Sequence, residues 1–235
     1  MLKNRIIPTL LFDSSLQCVK PIGFGRPYRK LGPMEQYIRV MEKRNVDEII
    51  LLDITARVEG REPNAAGIKA LTSNLFCPVT YGGGISSLEH IRDILANGAD
   101  KVAIRTHVEL IGPAAEKFGS QAITAVITVN EYTNAVAQAK DYELLGAGEI
   151  LLTDVYRDGT QNGYNYASIE DVSKSVKIPV IANGGCGNIL HMYKAIEAGA
   201  SAVASGSMFL FSEITPKNCA DILHGQFHVP VRIHA

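Results

Sequence analysis

The chain has 235 residues, 46% of them hydrophobic, with 23 Lys and Arg against 24 Asp and Glu for a formal net charge of −1. That is enough apolar chain for one large α/β domain or two small ones, and the balanced charge excludes the basic field a nucleic-acid binder needs. No apolar run reaches the length of a membrane span and the start, MLKNRIIPTLL, has no secretory cleavage pattern, so neither nucleic acid nor membrane is an expected partner and the expected compartment is the cytoplasm.

Read in chain order, short β-branched or leucine-rich runs alternate with longer amphipathic segments. The candidate strands are RIIPTLL from Arg5, DEIILLD from Asp47, PVTY from Pro78, KVAI from Lys101, QAITAVIT from Gln121, EILLTD from Glu149, PVIA from Pro179 and AVAS from Ala202. Helical stretches lie between them. In SLEHIRDILANG, Leu88, Ile91, Ile94 and Leu95 keep helical spacing, and Ser86 or Ser87 is placed to cap the N-terminus. The stretch after the first strand, with the basic GRPYRK from Gly25 to Lys30, reads as a loop. Cys18, Cys77, Cys186 and Cys219 match no zinc or disulfide spacing, so they read as reduced thiols, and neither a metal nor a cofactor is expected.

The chain repeats itself. At an offset of 101 residues, DEIILLDITARVEGREPN lies on GEILLTDVYRDGTQNGYN, and CPVTYGGGISSLEHIRDILANGADKVAIRT lies on IPVIANGGCGNILHMYKAIEAGASAVASGS without a gap. Glu48/Glu149, Asp53/Asp154, Asn64/Asn165, Gly83/Gly184, Gly84/Gly185 and His90/His191 are identical pairs. Eight strands in two copies of four βα units predict a (β/α)8 TIM barrel of the ribulose-phosphate-binding type, one domain over 1–235 with halves at about 1–117 and 118–235. A doubly wound open sheet is the alternative, but it does not predict a two-fold repeat of four units.

In such a barrel the loops after the strands form the functional face. GGGIS and NGGCG each end a strand and open a helix, where glycines let backbone approach a ligand and a helix N-terminus favours an anion. The next unit of each half ends in IRT and SGS. Gly83, Gly84, Arg105 and Thr106 thus make one candidate phosphate cradle, and Gly184, Gly185, Gly206 and Ser207 the other. Two cradles imply an elongated ligand with an anionic group at each end. The bland alternative is that the glycines only make tight turns. His90 and His191 lack metal-ligand spacing and read as packing or surface residues.

The motifs RIIP, DEIILLDIT, YGGGI, GADKVAI, FGSQAI, GAGEILLTDVYRDGTQNGY and NGGCG resemble the cyclase subunit of imidazole glycerol phosphate synthase over nearly the whole chain. The resemblance implies a half-barrel duplication, a bisphosphate substrate and a glutaminase partner in a heterodimer, with ammonia crossing the barrel. It implies an ammonia gate at Arg5, Glu48, Lys101 and Glu149, a glutaminase contact at Asp100, and substrate-loop roles for Lys20 and Asp53. Gly159 and Thr160, in the family's RDGT motif, join the phosphate-binding set. All four gate positions lie at strand starts, so their charges point into the barrel floor.

The family's cyclisation uses two aspartates, closing the first and fifth strands, as general acid and base. Here Leu11 and Thr128 occupy those places. Asp13 lies two residues further on, within reach only by a bulge, and Asp158 remains at the mouth. Asp13, Thr128 and Asp158 are therefore the candidate catalytic residues. The segment from 129 to 148 leaves little room for the family's long loop after strand five, which shields the substrate from water. This pattern resembles the family's divergent branch, which supplies ammonia to an N-acetyl-sugar amidotransferase in surface-polysaccharide synthesis. The alternatives are an ordinary histidine-pathway cyclase, a related barrel isomerase that needs the same two aspartates, and a scaffold that only activates a glutaminase.

Overall fold

The computed structural model describes residues 3–21, 28–73, 75–131 and 133–232. Eight parallel strands close a barrel among these residues: β1 (Arg5–Phe12), β4 (Ile49–Asp53), β5 (Val79–Gly82), β6 (Lys101–Ile104), β7 (Ile123–Val129), β8 (Glu149–Asp154), β9 (Val180–Asn183) and β10 (Ala202–Ser205). Closure is through β1 and β10, with Arg5 opposite Ala202 and Pro8 opposite Ser205. The helices on the outside are α1 (Met34–Glu42), α2 (Ala65–Thr72), α3 (Leu88–Ala96), α4 (Ile111–Phe118), α5 (Ala135–Leu144), α6 (Tyr166–Ser175), α7 (Ile189–Glu197), α8 (Ser207–Phe211) and α9 (Pro216–Phe227). No described helix is long and apolar enough to cross a membrane.

The stretch after β1 is not a simple loop. Gln17–Pro21 and Tyr28–Pro33 form an antiparallel hairpin, β2 and β3, which joins the barrel edge where Phe12 pairs with Cys18. Of the GRPYRK stretch, Gly25, Arg26 and Pro27 lie outside the described residues. A turn held by Asp13 launches the hairpin. The Asp13 N–H donates to the Gln17 carbonyl at 3.1 Å, and Leu16 takes a left-handed backbone with φ of 54°.

Period-two alternation sorts each strand's side chains between two cores. In β1, Ile6, Leu10 and Phe12 pack between barrel and helices, whereas Ile7 joins a small core inside the barrel. The duplication persists in the caps: Asn64 accepts from Gly67 N–H and Asn165 from Ser168 N–H, while Ser87 accepts from His90 N–H and Asn188 from His191 N–H. The four cysteines are free thiols. Burial pushes Cys18, Cys77 and Cys186 up to about 11 and Cys219 to about 12.

Candidate functional site

The four charged residues at the strand starts meet in a closed ring. Arg5 reaches Glu48 at 2.7 Å and Glu149 at 2.8 Å, and Lys101 reaches each of the same carboxylates at 2.9 Å. Thr80 on β5 and Thr124 on β7 donate hydroxyls to Glu48 at 2.7 Å and to Glu149 at 2.9 Å. Burial disfavours the charge on Glu149, but Arg5 and Lys101 outweigh it and hold the carboxyl below its ordinary range. Burial likewise opposes the charge on Arg5, yet Glu149 and Glu48 hold its pKa above the usual value. With both carboxylates compensated and hydrogen-bonded, the ring avoids the cost of an unpaired buried charge.

Above this floor the barrel interior is packed with apolar side chains: Ile7, Ile50, Leu151, Ile181, Ala202 and Ala204 form the inner core, with Leu52 and Val126 against it. A cavity of about 810 Å³ opens at the C-terminal ends of the strands. Its wall includes Leu11, Thr9, Thr128, Thr153 and Asn183. Thr9 donates to the Asn183 amide oxygen at 3.4 Å, and the Asn183 amide nitrogen donates to Thr153 at 3.0 Å. The walls nearest the inner core are therefore neutral. Sequence reading overlooked Thr9, Thr153 and Asn183, although inward alternation along β1, β8 and β9 would have pointed to them.

Asp13 does not line this cavity. Its carboxylate is buried in the turn between β1 and β2, accepting N–H groups of Ser15 at 3.0 Å and Gln17 at 3.1 Å and pairing with Lys30 at 2.9 Å. Burial opposes its ionisation, but Lys30 and the two backbone donors lower its pKa below the usual range. No bulge brings Asp13 into the cavity lining: these bonds hold it in the turn. Asp158 does line the cavity, with Lys20 of the hairpin 3.6 Å away. Asp53 is tied to its own loop, accepting from Thr55 N–H at 3.1 Å, Ala56 N–H at 3.0 Å and Arg61 at 3.0 Å. Past Thr128, only 130–134 separate β7 from α5, too short for a covering loop.

The two glycine loops are built alike. A Cβ on Gly83 would lie 2.5 Å from the Asp53 carbonyl oxygen, and one on Gly184 would lie 2.7 Å from that of Asp154, the same contact one repeat apart. Positive φ values of 131° and 91° add to the requirement for glycine. His90 and His191, expected to be bland, brace these loops: their Nδ1 atoms accept the N–H of Ser86 at 3.3 Å and of Gly187 at 3.1 Å. The cradles nevertheless differ. Gly83, Gly84, Arg105 and Thr106 all line the cavity, but of the second set only Gly206 does. Gly184, Gly185 and the buried Ser207 lie outside the lining, as do Gly159, beside Lys20, and Thr160, whose hydroxyl donates to the Arg157 carbonyl at 2.8 Å. The two sets of loops thus meet this cavity differently.

At the opposite end, Asp100 is exposed next to Lys101, and its carboxylate accepts the Val79 N–H at 2.8 Å. Among the described residues no group of His, Cys, Asp and Glu could hold a metal ion.

The model of the family described as histidine biosynthesis protein matches residues 5–215. Imidazole glycerol phosphate synthase subunit HisF of Chlorobium limicola is 38% identical over 254 residues, covering 99% of this chain and 100% of the relative. The protein of that name from Sulfolobus acidocaldarius is 41% identical over 226 residues, covering 88% and 90%, and that from Prosthecochloris aestuarii 39% over 234 residues, covering 91% and 92%. Full-length similarity at this level, on a closed barrel of matching repeat, has one consequence: the chain belongs to the histidine biosynthesis protein family, alongside the HisF subunits.

Proposed function

We propose that this chain is the barrel subunit of a glutamine amidotransferase complex, receiving ammonia from a glutaminase at its N-terminal face and conducting it to the cavity. The observation that carries this reading is the salt-bridged floor under an apolar barrel interior. A charged ring blocks water and ions, while apolar side chains above it suit the passage of a small neutral molecule. Both cations bridge the two carboxylates, but Lys101 does so with a single ammonium on a flexible stem and is the ring member best able to swing aside, whereas Arg5 uses the two terminal nitrogens of a planar fork. Asp100, exposed beside Lys101, is suited to meet a basic group on the glutaminase.

Two fates of the ammonia follow from different observations. The relatives' printed name favours consumption at the mouth, by ring closure to imidazole glycerol phosphate, and does so more directly than anything favours the second fate. That second fate is forwarding to another enzyme, such as an N-acetyl-sugar amidotransferase of polysaccharide synthesis. It is favoured by Leu11 and Thr128 in the cavity wall and by the withdrawal of Asp13, because ring closure needs a proton-transfer pair. The test is to supply the purified chain with the phosphoribulosyl substrate of imidazole glycerol phosphate synthase and ammonium. Formation of imidazole glycerol phosphate selects the first fate. No product, combined with co-purification of a glutaminase and a sugar amidotransferase from native cells, selects the second; a glutaminase alone reduces the chain to an activating scaffold.

A further inference from the structure

The two histidines that brace the glycine turns make the same bond in different surroundings. Each is the third residue of its helix, α3 or α7, and its Nδ1 accepts the N–H of the residue four positions back, Ser86 at 3.3 Å and Gly187 at 3.1 Å. A backbone N–H can only donate, so the bond exists only while Nδ1 carries a lone pair. Protonation of the ring turns that acceptor into a second donor, and the brace becomes a repulsion.

What stands at the other ring nitrogen differs between the repeats. At His191 it is the Asn188 amide nitrogen, 3.2 Å from Nε2, turned that way because the amide oxygen accepts the His191 N–H at 3.0 Å. Loss of hydration and then the Lys194 ammonium lower the His191 pKa below its ordinary 6.5. The titratable group that α6 brings to this side, Tyr166 next to Gly163, is a phenol held above its ordinary pKa by burial. These neighbours all favour the neutral ring. At His90 the other nitrogen faces a carboxylate instead: Nε2 lies 3.6 Å from Glu62, in the loop after β4. Glu62, His90 and Ser86 line the cavity together with Gly83 and Gly84, whereas His191 lies outside the lining. A protonated His90 therefore has a counter-ion to turn to, on a different element from Ser86.

We propose that His90 is a proton-operated latch on the cavity wall. Neutral, it holds the turn after β5 against the start of α3; protonated, it releases Ser86, pairs with Glu62 and lets the turn loosen. His191 is the same latch kept shut, so one wall of the duplicated barrel answers to pH and its counterpart does not. The regulatory consequence is a cavity that grips an anion less well in acid, the reverse of what added positive charge alone produces. Glu62 is exposed, so solvent screens the gain from neutralising it, and the loosened turn dominates. This rests on the reading of the cavity as the ligand site of the barrel.

The test is calorimetric titration of the whole chain with sulfate, whose charge is constant between pH 8 and pH 5, the range in which histidine changes its own. Native affinity should fall by about five-fold from pH 8 to pH 5, the effect of losing one hydrogen bond. In His90→Asn the amide oxygen takes the place of Nδ1 and cannot be protonated, so the acid loss should vanish. Affinity should then stay level or tighten in acid, because His107, which also lines the cavity and lies 2.9 Å from Glu109, still gains its proton. In nitrogen-15 NMR spectra the native Ser86 amide should leave its bonded position in acid while Gly187 stays, and in His90→Ala the Ser86 amide should be unbonded at both pH values. Native sulfate affinity that rises in acid, an acid loss that persists in His90→Asn, no sulfate binding at pH 8, or a Ser86 signal that moves no more than that of Gly187 would overturn the proposal. Neither ammonia nor glutaminase enters these measurements, so the latch can fail while ammonia transfer stands, and a failed glutaminase assay leaves the latch intact.

Discussion

Asp13 and Glu149 are both buried carboxylates whose partners outweigh the cost of burial, and that makes each a stability element with a definite pH sign. Asp13 holds the hairpin turn through two backbone donors and Lys30. Replacing it with Ala should destabilise the chain by about 2 kcal/mol in urea unfolding, since two turn N–H groups lose their charged acceptor and Lys30 loses its partner. Glu149 should cost about 3 kcal/mol as Glu149→Gln, because Arg5 and Lys101 are then left to share Glu48. Both native pKa values are lowered, from ordinary values of 3.8 and 4.5. Their contribution is therefore complete above the unfolded value and lost as pH falls through the folded one. Circular dichroism unfolding curves between pH 7 and pH 3 should show a shallower acid loss for Glu149→Gln than for the native chain. An equally steep loss would mean that Glu149 does not depend on the ring.

The glycine turns after β5 and β9 test whether the repeat is physical or only ancestral. Each turn passes so close to the aspartate loop of the preceding unit that one methyl group would overlap a carbonyl oxygen. Gly83→Ala and Gly184→Ala should each lose about 2 kcal/mol or more, from the left-handed backbone and the overlap together. Gly225, on the exposed side of α9 with nothing within 4 Å of an added Cβ, is the control. Gly225→Ala should be neutral or stabilising by up to about 1 kcal/mol, since alanine is the better helix former. Thermal melts of the three variants decide it; equal losses would show that the tight approach does not matter.

The barrel as a whole is two half-sheets that each need the other. Cut between Lys117 and Phe118, near the end of α4, each half would expose two unpaired strand edges, β1 and β6 in the first and β7 and β10 in the second. Fragments 1–117 and 118–235 should therefore associate when mixed, seen by size-exclusion chromatography as a species of about the full chain's 25.4 kDa or a higher multiple. Two fragments that stay folded and monomeric would contradict this view of the halves.

Much of this architecture was legible along the chain, because period-two runs, caps and glycines are local and were written twice at one offset. The candidate strands KVAI, EILLTD and AVAS match β6, β8 and β10 end to end. The hairpin was missed because it starts from a turn between β1 and β2 held by the Asp13 carboxylate, a contact that no local turn motif announces. What the amino-acid sequence determined by itself was the order, spacing and inward face of the strands, since steric alternation and helix periodicity act within a few residues. Only the tertiary structure decided which charges meet. Arg5 closes on Glu149 across 144 positions and Asp13 is drawn away to Lys30, because electrostatic pairing depends on distances set by closure of the barrel.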